Sequence, residues 1–152
     1  MRVRQATEAD VDGMCAVLAP ILKRWGSERR SDPAHVRAHY VTNPDRLSCA
    51  VALDDAGTVV GFQSLKLARA GNVYDVPAGW GIIGTYVADT TTGQGIGRAL
   101  FAESRKHAIS YGLRSIDATI GAQNTGAQAF YAAMGFVRYR ELPGAIGARC
   151  DL

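Results

Sequence analysis

The stretch IIGTYVADTTTGQGIGRAL, residues 82–100, decides the fold of this chain. It begins as an apolar strand, turns through Gly93, Gly95 and Gly97, and continues directly into an amphipathic helix. Glycines allow the backbone to turn tightly and bring successive N–H groups close to a ligand. Those N–H groups and the positive end of the helix dipole favour an anion such as phosphate. Arg98, just inside the helix, could add a charge-assisted contact to phosphate.

The glycine turn fits neither of the common nucleotide-binding motifs. A Walker sequence needs Lys and then Ser or Thr after the last glycine, whereas Arg98 and Ala99 follow here. The dinucleotide pattern fails because Arg98 or Leu100 stands where its third glycine belongs, and Asp117 lies inside a predicted strand. A tight strand-to-helix turn without any ligand stays open as an alternative at this point.

A second motif follows in NTGAQAFYAAMGF, residues 124–136. The patterns V-x-x-x-x-x-G-x-G-x-G-R-A-L and N-x-x-A-x-x-F-Y-x-x-M-G-F together closely resemble the two acyl-CoA motifs of the GNAT superfamily of N-acetyltransferases. The opening R-x-A-T-x-x-D and the order of predicted elements also resemble that family, so the resemblance covers the whole chain. From Val87 to Asn124 the chain resembles the subgroup that acetylates amino acids and related small amines, including phosphinothricin-type members.

The resemblance implies acetyl-CoA as co-substrate and places it on the chain. In a GNAT protein the pantetheine arm lies where the strand ending near Val87 splays from the next strand. The pyrophosphate rests on the N–H groups of the glycine turn, and Asn124 reaches the pantetheine or an ordered water. The implied acetyl-CoA contacts are Val87, Ala88, Asp89, Thr92, Gly93, Gln94, Gly95, Ile96, Gly97, Arg98, Ala99 and Asn124.

The implied reaction is direct attack of a neutral primary amine on the acetyl carbonyl. A backbone N–H near Val87 would help to hold the oxyanion, and Tyr131 would donate a proton to the departing thiolate. Tyr131 also has a purely structural interpretation, as a core aromatic like its neighbour Phe130. The predicted function is an N-acetyltransferase acting on a primary amine, with a small molecule or amino acid favoured over a protein. The alternative is a regulatory domain of the same fold that binds acyl-CoA without turnover.

The sequence departs from the family pattern at two places, one in the glycine turn and one in the strand that precedes it. Thr92 stands where the family usually has Arg or Gln. The strand Trp80–Val87 lacks the Glu that serves many members as general base. Asp75, His39 or a water chain touching Thr85 are the candidates for that role.

The acceptor is expected to contact an aromatic wall from the first two helices and the loop opposite. The candidate acceptor contacts are Trp25, His39, Tyr74, Asp75 and Thr85, with His35 and Tyr40 beside them. His35 and His39 have a spacing that would let them share a metal ion. The Glu of an H-E-x-x-H motif is absent, so no metal site is predicted.

Composition excludes several classes of protein. The 152 residues are 47% hydrophobic and 20% charged, which is typical of one globular domain spanning 1–152. The 17 basic and 14 acidic residues are scattered, so no nucleic-acid partner is expected. The acidic start of the chain does not resemble a signal peptide, and no membrane segment is predicted. Three cysteines without a C-x-x-C pair favour the cytoplasm. A homodimer is also expected, because many members of the family that the chain resembles form dimers.

Periodicity predicts a mixed α/β fold of the order β α α β β β α β α β. Its core would be a twisted mixed sheet of six to seven strands with helices on both faces. The predicted helices are Val11–Trp25 after an N-cap at Thr7, Asp32–Tyr40, Ile96–Tyr111 and Asn124–Met134. The predicted strands are 2–6, 47–53, 58–67, 80–87, 115–120 and 136–142, with 148–152 as a candidate for one more.

Overall fold

The computed structural model describes residues 1–152 and forms a single seven-stranded sheet. The strands are β1 (Arg2–Gln5), β2 (Arg46–Leu53), β3 (Val59–Leu67), β4 (Gly81–Val87), β5 (Ser115–Gly121), β6 (Val137–Leu142) and β7 (Ala145–Asp151). Their spatial order is β1-β2-β3-β4-β5-β7-β6. Every neighbouring pair is antiparallel except β4 and β5, which are parallel. The predicted mixed sheet is therefore confirmed.

Four helices cover the sheet on both faces, as predicted. They are α1 (Val11–Arg24), α2 (Pro33–Val36), α3 (Ile96–Tyr111) and α4 (Thr125–Ala133). Side chains alternate between the two faces along β2, and this shows which helices lie on which face. Val51 packs in one cluster with α1 and α2, whereas Ala50 and Ala52 pack with Leu100 of α3. Helix α4 lies on the α3 face, because its Tyr131 shares a cluster with α3 side chains. None of the helices is long and apolar enough to cross a lipid bilayer.

Two elements differ from the sequence prediction. The second helix does not run regularly to Tyr40, because α2 ends at Val36 and continues as a π-helical turn over Arg37–Val41. The wider turn buries Tyr40 and Val41 against the sheet. The last strand is also longer than the candidate 148–152, and it lies inside the sheet between β5 and β6.

The sheet opens between its two parallel strands. Only Gly81–Ile83 of β4 pair with Ile116–Ala118 of β5, although β4 pairs with β3 as far as Val87. The later residues of β4 therefore have no strand partner on the β5 side. Crevices at the carboxyl ends of parallel strands are a common place for ligands in open α/β sheets.

Candidate active site

Two adjoining cavities occupy this opening. The gap cavity, about 620 Å³, lies between the end of β4 and residues 119–124, and Tyr131 of α4 lines it. The turn cavity, about 460 Å³, lies between the glycine turn and α4. The residues that line both cavities are Arg24, Trp25, Thr85, Tyr86, Ala127 and Tyr131. A ligand that fills the turn cavity would therefore reach the gap cavity at these side chains.

The glycine turn presents a row of unsatisfied backbone donors at the start of α3. The N–H groups of Gly93, Gly95, Ile96, Gly97 and Arg98 have no acceptor within the protein, and the first helical bond of α3 runs from Ala99 to Gly95. Because α3 has 16 residues, these donors stand at the positive end of a full helix dipole. The arrangement is suited to an anion with several oxygens, such as a pyrophosphate.

Each glycine of the turn has its own structural reason. Gly93 and Gly95 have φ angles of 84° and 76°, which side chains rarely adopt. Gly97 is needed for packing, because a Cβ there would lie 2.6 Å from Cε1 of Phe130. The glycines thus bring α3 against α4 and leave the N–H groups uncovered.

Tyr131 and Thr85 meet where the two cavities join. The Tyr131 hydroxyl lies 2.8 Å from Oγ1 of Thr85, and Nε2 of Gln63 donates to the same Oγ1 at 2.9 Å. Either hydroxyl can donate in the contact between Tyr131 and Thr85. Because Thr85 already accepts from Gln63, we take Thr85 as the donor to the oxygen of Tyr131. The proton of Tyr131 is then available to a ligand in the cavity. Burial raises the pKa of Tyr131 above the ordinary tyrosine value, so the hydroxyl stays protonated at neutral pH.

Comparison with known proteins places the chain in a family. The model of the Acetyltransferase (GNAT) family matches residues 16–136, which is most of the chain. The chain belongs to the GNAT acetyltransferase family. It is accordingly an acyltransferase enzyme. No curated protein matches the sequence significantly.

Solved structures share the GNAT fold over the full chain. The ribosomal-protein-alanine N-acetyltransferase from Brucella melitensis is 24% identical, with a TM-score of 0.82 and 100% of both chains covered. The protein yncA from Salmonella typhimurium, solved with its cofactor acetyl-CoA, is 19% identical, with a TM-score of 0.82 and coverage of 99% and 93%. A phosphinothricin acetyltransferase from Sinorhizobium meliloti, in complex with acetyl-CoA, is 20% identical, with a TM-score of 0.80 and coverage of 99% and 88%.

Most of the residues expected at the GNAT cofactor site line the turn cavity: Val87, Asp89, Thr92, Gly93, Gly95, Ile96, Gly97 and Arg98. Ala88, Gln94 and Ala99 line neither cavity. Ala88 has no free backbone donor, because its N–H bonds to Val60 O at 2.9 Å. The Asp89 carboxylate pairs with Arg24 of α1. Asn124 lines the gap cavity and caps α4 by accepting from Ala127 N–H at 3.1 Å.

The expected acceptor residues divide into two groups. Trp25 and Thr85 line both cavities, whereas His39, Tyr74 and Asp75 line neither. His39 instead stacks on His35 with their ring centroids 4.9 Å apart, and burial lowers the pKa of His39 to about 4. Of the three candidate routes for the base, only the one through Thr85 begins inside the site.

Three residues of the candidate site were not identified from the sequence, because no local motif marks them. Arg24 and Arg29 line the gap cavity, but single arginines at a helix end and in a loop have no local pattern. Gln63, which positions Thr85, is completely buried within the apolar strand β3. A polar residue in such a strand is the signal that would have identified it. No group of three or more His, Cys, Asp or Glu side chains is arranged to hold a metal ion.

Proposed function

We propose that this enzyme transfers the acetyl group of acetyl-CoA to the primary amine of a small molecule or amino acid. The observation that carries the proposal is the junction of the two cavities at the Thr85–Tyr131 pair, 2.8 Å apart. One cavity offers free N–H donors for phosphate, and the other offers space for an acceptor. Two solved proteins of the same fold contain acetyl-CoA, which supports this cofactor.

The pyrophosphate of acetyl-CoA would lie on the N–H groups of the glycine turn, with Arg98 adding charge. Thr92, in place of the usual Arg or Gln, offers a hydroxyl there. The pantetheine arm would run along the unpaired edge of β4 toward Asn124. This path brings the thioester to the junction, where Trp25 covers it.

In the proposed reaction the amine nitrogen forms a bond to the acetyl carbonyl carbon. A backbone N–H on the unpaired edge near Val87 would stabilise the oxyanion. The carbon–sulfur bond then breaks, and Tyr131 donates its proton to the sulfur while Thr85 supports the tyrosine oxygen. The attacking nitrogen loses one proton, which returns to the tyrosine oxygen through water in contact with Thr85 and restores the Tyr131 hydroxyl. The products are the N-acetylated amine and free CoA.

The ammonium proton of the acceptor has no carboxylate to accept it, because neither Asp nor Glu lines the gap cavity. We assign the proton to water in contact with Thr85. The guanidinium groups of Arg24 and Arg29 line the same cavity. Asp89 compensates the charge of Arg24, so Arg29 supplies the net positive charge that disfavours the protonated acceptor and lowers the pKa of its amine.

The Tyr131→Phe variant tests the assignment of the general acid. We expect kcat to fall about 10²- to 10⁴-fold, since general-acid catalysis is worth about that much. The dissociation constant of acetyl-CoA, measured by calorimetry, is expected to stay within about twofold because the ring still fills its place. Tyr111→Phe is the matched control, because Tyr111 is an exposed tyrosine at the end of α3.

Equal rates of CoA release by the Tyr131→Phe variant and the wild type at every pH would contradict the assignment. A lack of heat when acetyl-CoA is titrated into the wild type would contradict the cofactor itself. NADH is the control ligand for that titration. A domain that only bound acyl-CoA would give heat but no CoA release with any amine.

We propose a cytoplasmic location and a homodimer as well. All three cysteines are free thiols, and a reducing compartment would keep them so. Strands β1 and β6 are the two edges of the sheet and are the places where a second copy could pair. Light scattering of the purified protein, with and without acetyl-CoA, measures the oligomeric state.

A further inference from the structure

Arg29, in the loop between α1 and α2, is held over the gap cavity by two tyrosines. Its Nη2 donates to the hydroxyl of Tyr40 at 2.9 Å and to that of Tyr86 at 3.0 Å. The guanidinium carbon lies 5.8 Å from the centroid of the Tyr86 ring. These contacts hold the guanidinium of Arg29 in one place, although the residue belongs to a loop. Its remaining N–H donors, at Nε and Nη1, have no bond within the protein.

No carboxylate neutralises this guanidinium. Glu28, the neighbour of Arg29 in the chain, is exposed and forms no ion pair with it, and two further acids of the region are paired with other arginines. Asp32 pairs with Arg30, and Asp89 pairs with Arg24. Arg29 thus stands in a cavity wall as a fixed cation without an acidic partner. A half-exposed guanidinium with free donors is well matched to a ligand carboxylate, which it can bind with two parallel hydrogen bonds.

A second cation reinforces the positive charge on this side of the site. Nζ of Lys66 lies 5.4 Å from the centroid of the Tyr40 ring, the same tyrosine that holds Arg29. Lys66 forms no ion pair either, and Asp45 beside it is bound by Arg69. Burial lowers the pKa of Lys66 to about 8, so it is still mostly protonated at neutral pH. Two cations thus flank one buried tyrosine without a neighbouring acid pairing with either.

We infer that the acceptor is a small amino acid whose free carboxylate docks on Arg29 while its amine faces the Thr85–Tyr131 junction. This inference rests on the proposed function and adds the substrate class to it. The pantetheine arm would take up part of the gap cavity, and its volume of about 620 Å³ leaves room beside that arm for such a molecule. The amino terminus of a protein has a peptide carbonyl in place of that carboxylate, so the arrangement selects free amino acids over protein termini.

Matched pairs of acceptors test the inference, each pair an amino acid and its carboxamide. Initial rates of CoA thiol release give kcat and KM for wild type, Arg29→Gln, Arg29→Lys and the control Arg30→Gln. Arg30 is the matched control because it is the adjacent arginine and is bound by Asp32 outside the cavity. Acetyl-CoA affinity is measured for each variant by calorimetry.

We expect the wild type to prefer each acid over its amide. Arg29→Gln should raise the KM for acids about 10- to 100-fold, the range of a charged hydrogen bond, and the acid-to-amide selectivity should fall toward one. Arg29→Lys should retain part of the selectivity, and Arg30→Gln all of it. Acetyl-CoA affinity should be the same in all four proteins.

Three outcomes would overturn the inference, and they differ in what they leave standing. If amides are used as well as acids, or if Arg29→Gln affects both alike, the carboxylate site is wrong and the acetyltransferase proposal stands. If the peptide amino terminus is acetylated faster than free amino acids, the substrate class is wrong in the same way. If acetyl-CoA binds and no amine of any kind is acetylated, the proposed function fails and this inference fails with it.

Discussion

At the scale of single residues, Gly97 shows how closely packing and ligand binding are joined. The residue lies in the first turn of α3, where its N–H is free, and its missing side chain makes room for the ring of Phe130. That ring packs against Tyr131 with a centroid distance of 5.0 Å. One small residue therefore sets the separation between the turn that would hold phosphate and the helix that carries the proposed acid.

Gly97→Ala should destabilise the protein and weaken acetyl-CoA binding. Its new Cβ would lie 2.6 Å from Cε1 of Phe130, and an aromatic ring in a packed wall cannot move aside cheaply. We expect a loss of about 1–3 kcal/mol in the free energy of unfolding in urea, typical of overpacking.

The matched control is Gly126→Ala in α4, whose Cβ would meet nothing nearer than an Asn124 oxygen at 3.9 Å. That change should stabilise α4 by about 0.5–1 kcal/mol, and it is a control for stability alone because Gly126 lines the turn cavity. The double variant Gly97→Ala, Phe130→Leu should recover part of the lost stability. A Gly97→Ala protein as stable as the wild type would contradict the packing argument.

At the scale of elements, the buried carboxylate of Asp10 stabilises the start of α1. Thr7 N–H donates to Oδ2 of Asp10 at 2.8 Å, and Nη1 of Arg4 donates to the same oxygen at 2.7 Å. The hydrogen bond from Arg4 is the main reason that the pKa of Asp10 is lowered. The carboxylate thus joins strand β1 to the first turn of the helix region, where the sequence predicts a cap at Thr7.

Asp10→Asn should destabilise the protein by about 1–2 kcal/mol at pH 7, because it weakens a cap and a charged hydrogen bond. Because the folded-state pKa of Asp10 is lowered, its contribution is complete above the unfolded pKa near 4. It is lost as the pH falls from there through the folded value. Urea unfolding between about pH 6 and 2 should therefore show a steeper loss in wild type than in Asp10→Asn.

Asp12→Asn is the control for that comparison, since Asp12 is an exposed acid in the same region and forms no ion pair. Its curve should run parallel to that of the wild type. Parallel curves for wild type and Asp10→Asn would mean that the Arg4–Asp10 pair does not link folding to pH.

Also at this scale, the sequence predicts elements whose ends are marked by residues such as glycine. It does not predict elements whose formation depends on pairing with strands distant in the sequence. Helix α3 runs from Ile96 to Tyr111 as predicted, because Gly95 and Gly112 mark its ends with left-handed backbone. Strand β7 was only partly predicted. Its small residues have little strand propensity, and its central place depends on pairing with both β5 and β6.

The candidate site follows the same division. The glycine turn and Tyr131 lie in recognisable motifs, so the sequence identifies them. Arg29 lies in a loop, and only the fold brings it over Tyr86. The sequence predicts Tyr74 and Asp75 at the acceptor site; Arg140 of β6 binds their carbonyl groups at 2.9 Å and 3.3 Å, and neither residue lines the gap cavity or the turn cavity.

At the scale of the whole molecule, the site lies at the one seam in the sheet. Strands β1–β4 and β5–β7 each pair antiparallel, and only three residue pairs join the two halves. The seam opens toward the carboxyl ends of both strands, and Tyr131 of α4 lines the cavity there. The fold thereby supplies a cavity that has cations and a protonated tyrosine but no carboxylate on its wall.

This charge distribution predicts how the rate depends on pH. Without a carboxylate or histidine in the gap cavity, kcat/KM should rise with pH until the acceptor amine is neutral. The break should therefore belong to the amine and move with its pKa when one acceptor is exchanged for a less basic one. His39, with its pKa near 4 and its place outside both cavities, should not contribute to the break.

The test is to measure kcat/KM from about pH 6 to 10 with two acceptors of different basicity, for the wild type and for His39→Gln. A break that stays at one pH for both acceptors would belong to a protein group. A break near pH 8 would point to Lys66, whose pKa is lowered to about 8 by burial, and loss of the break in His39→Gln would point to the histidine.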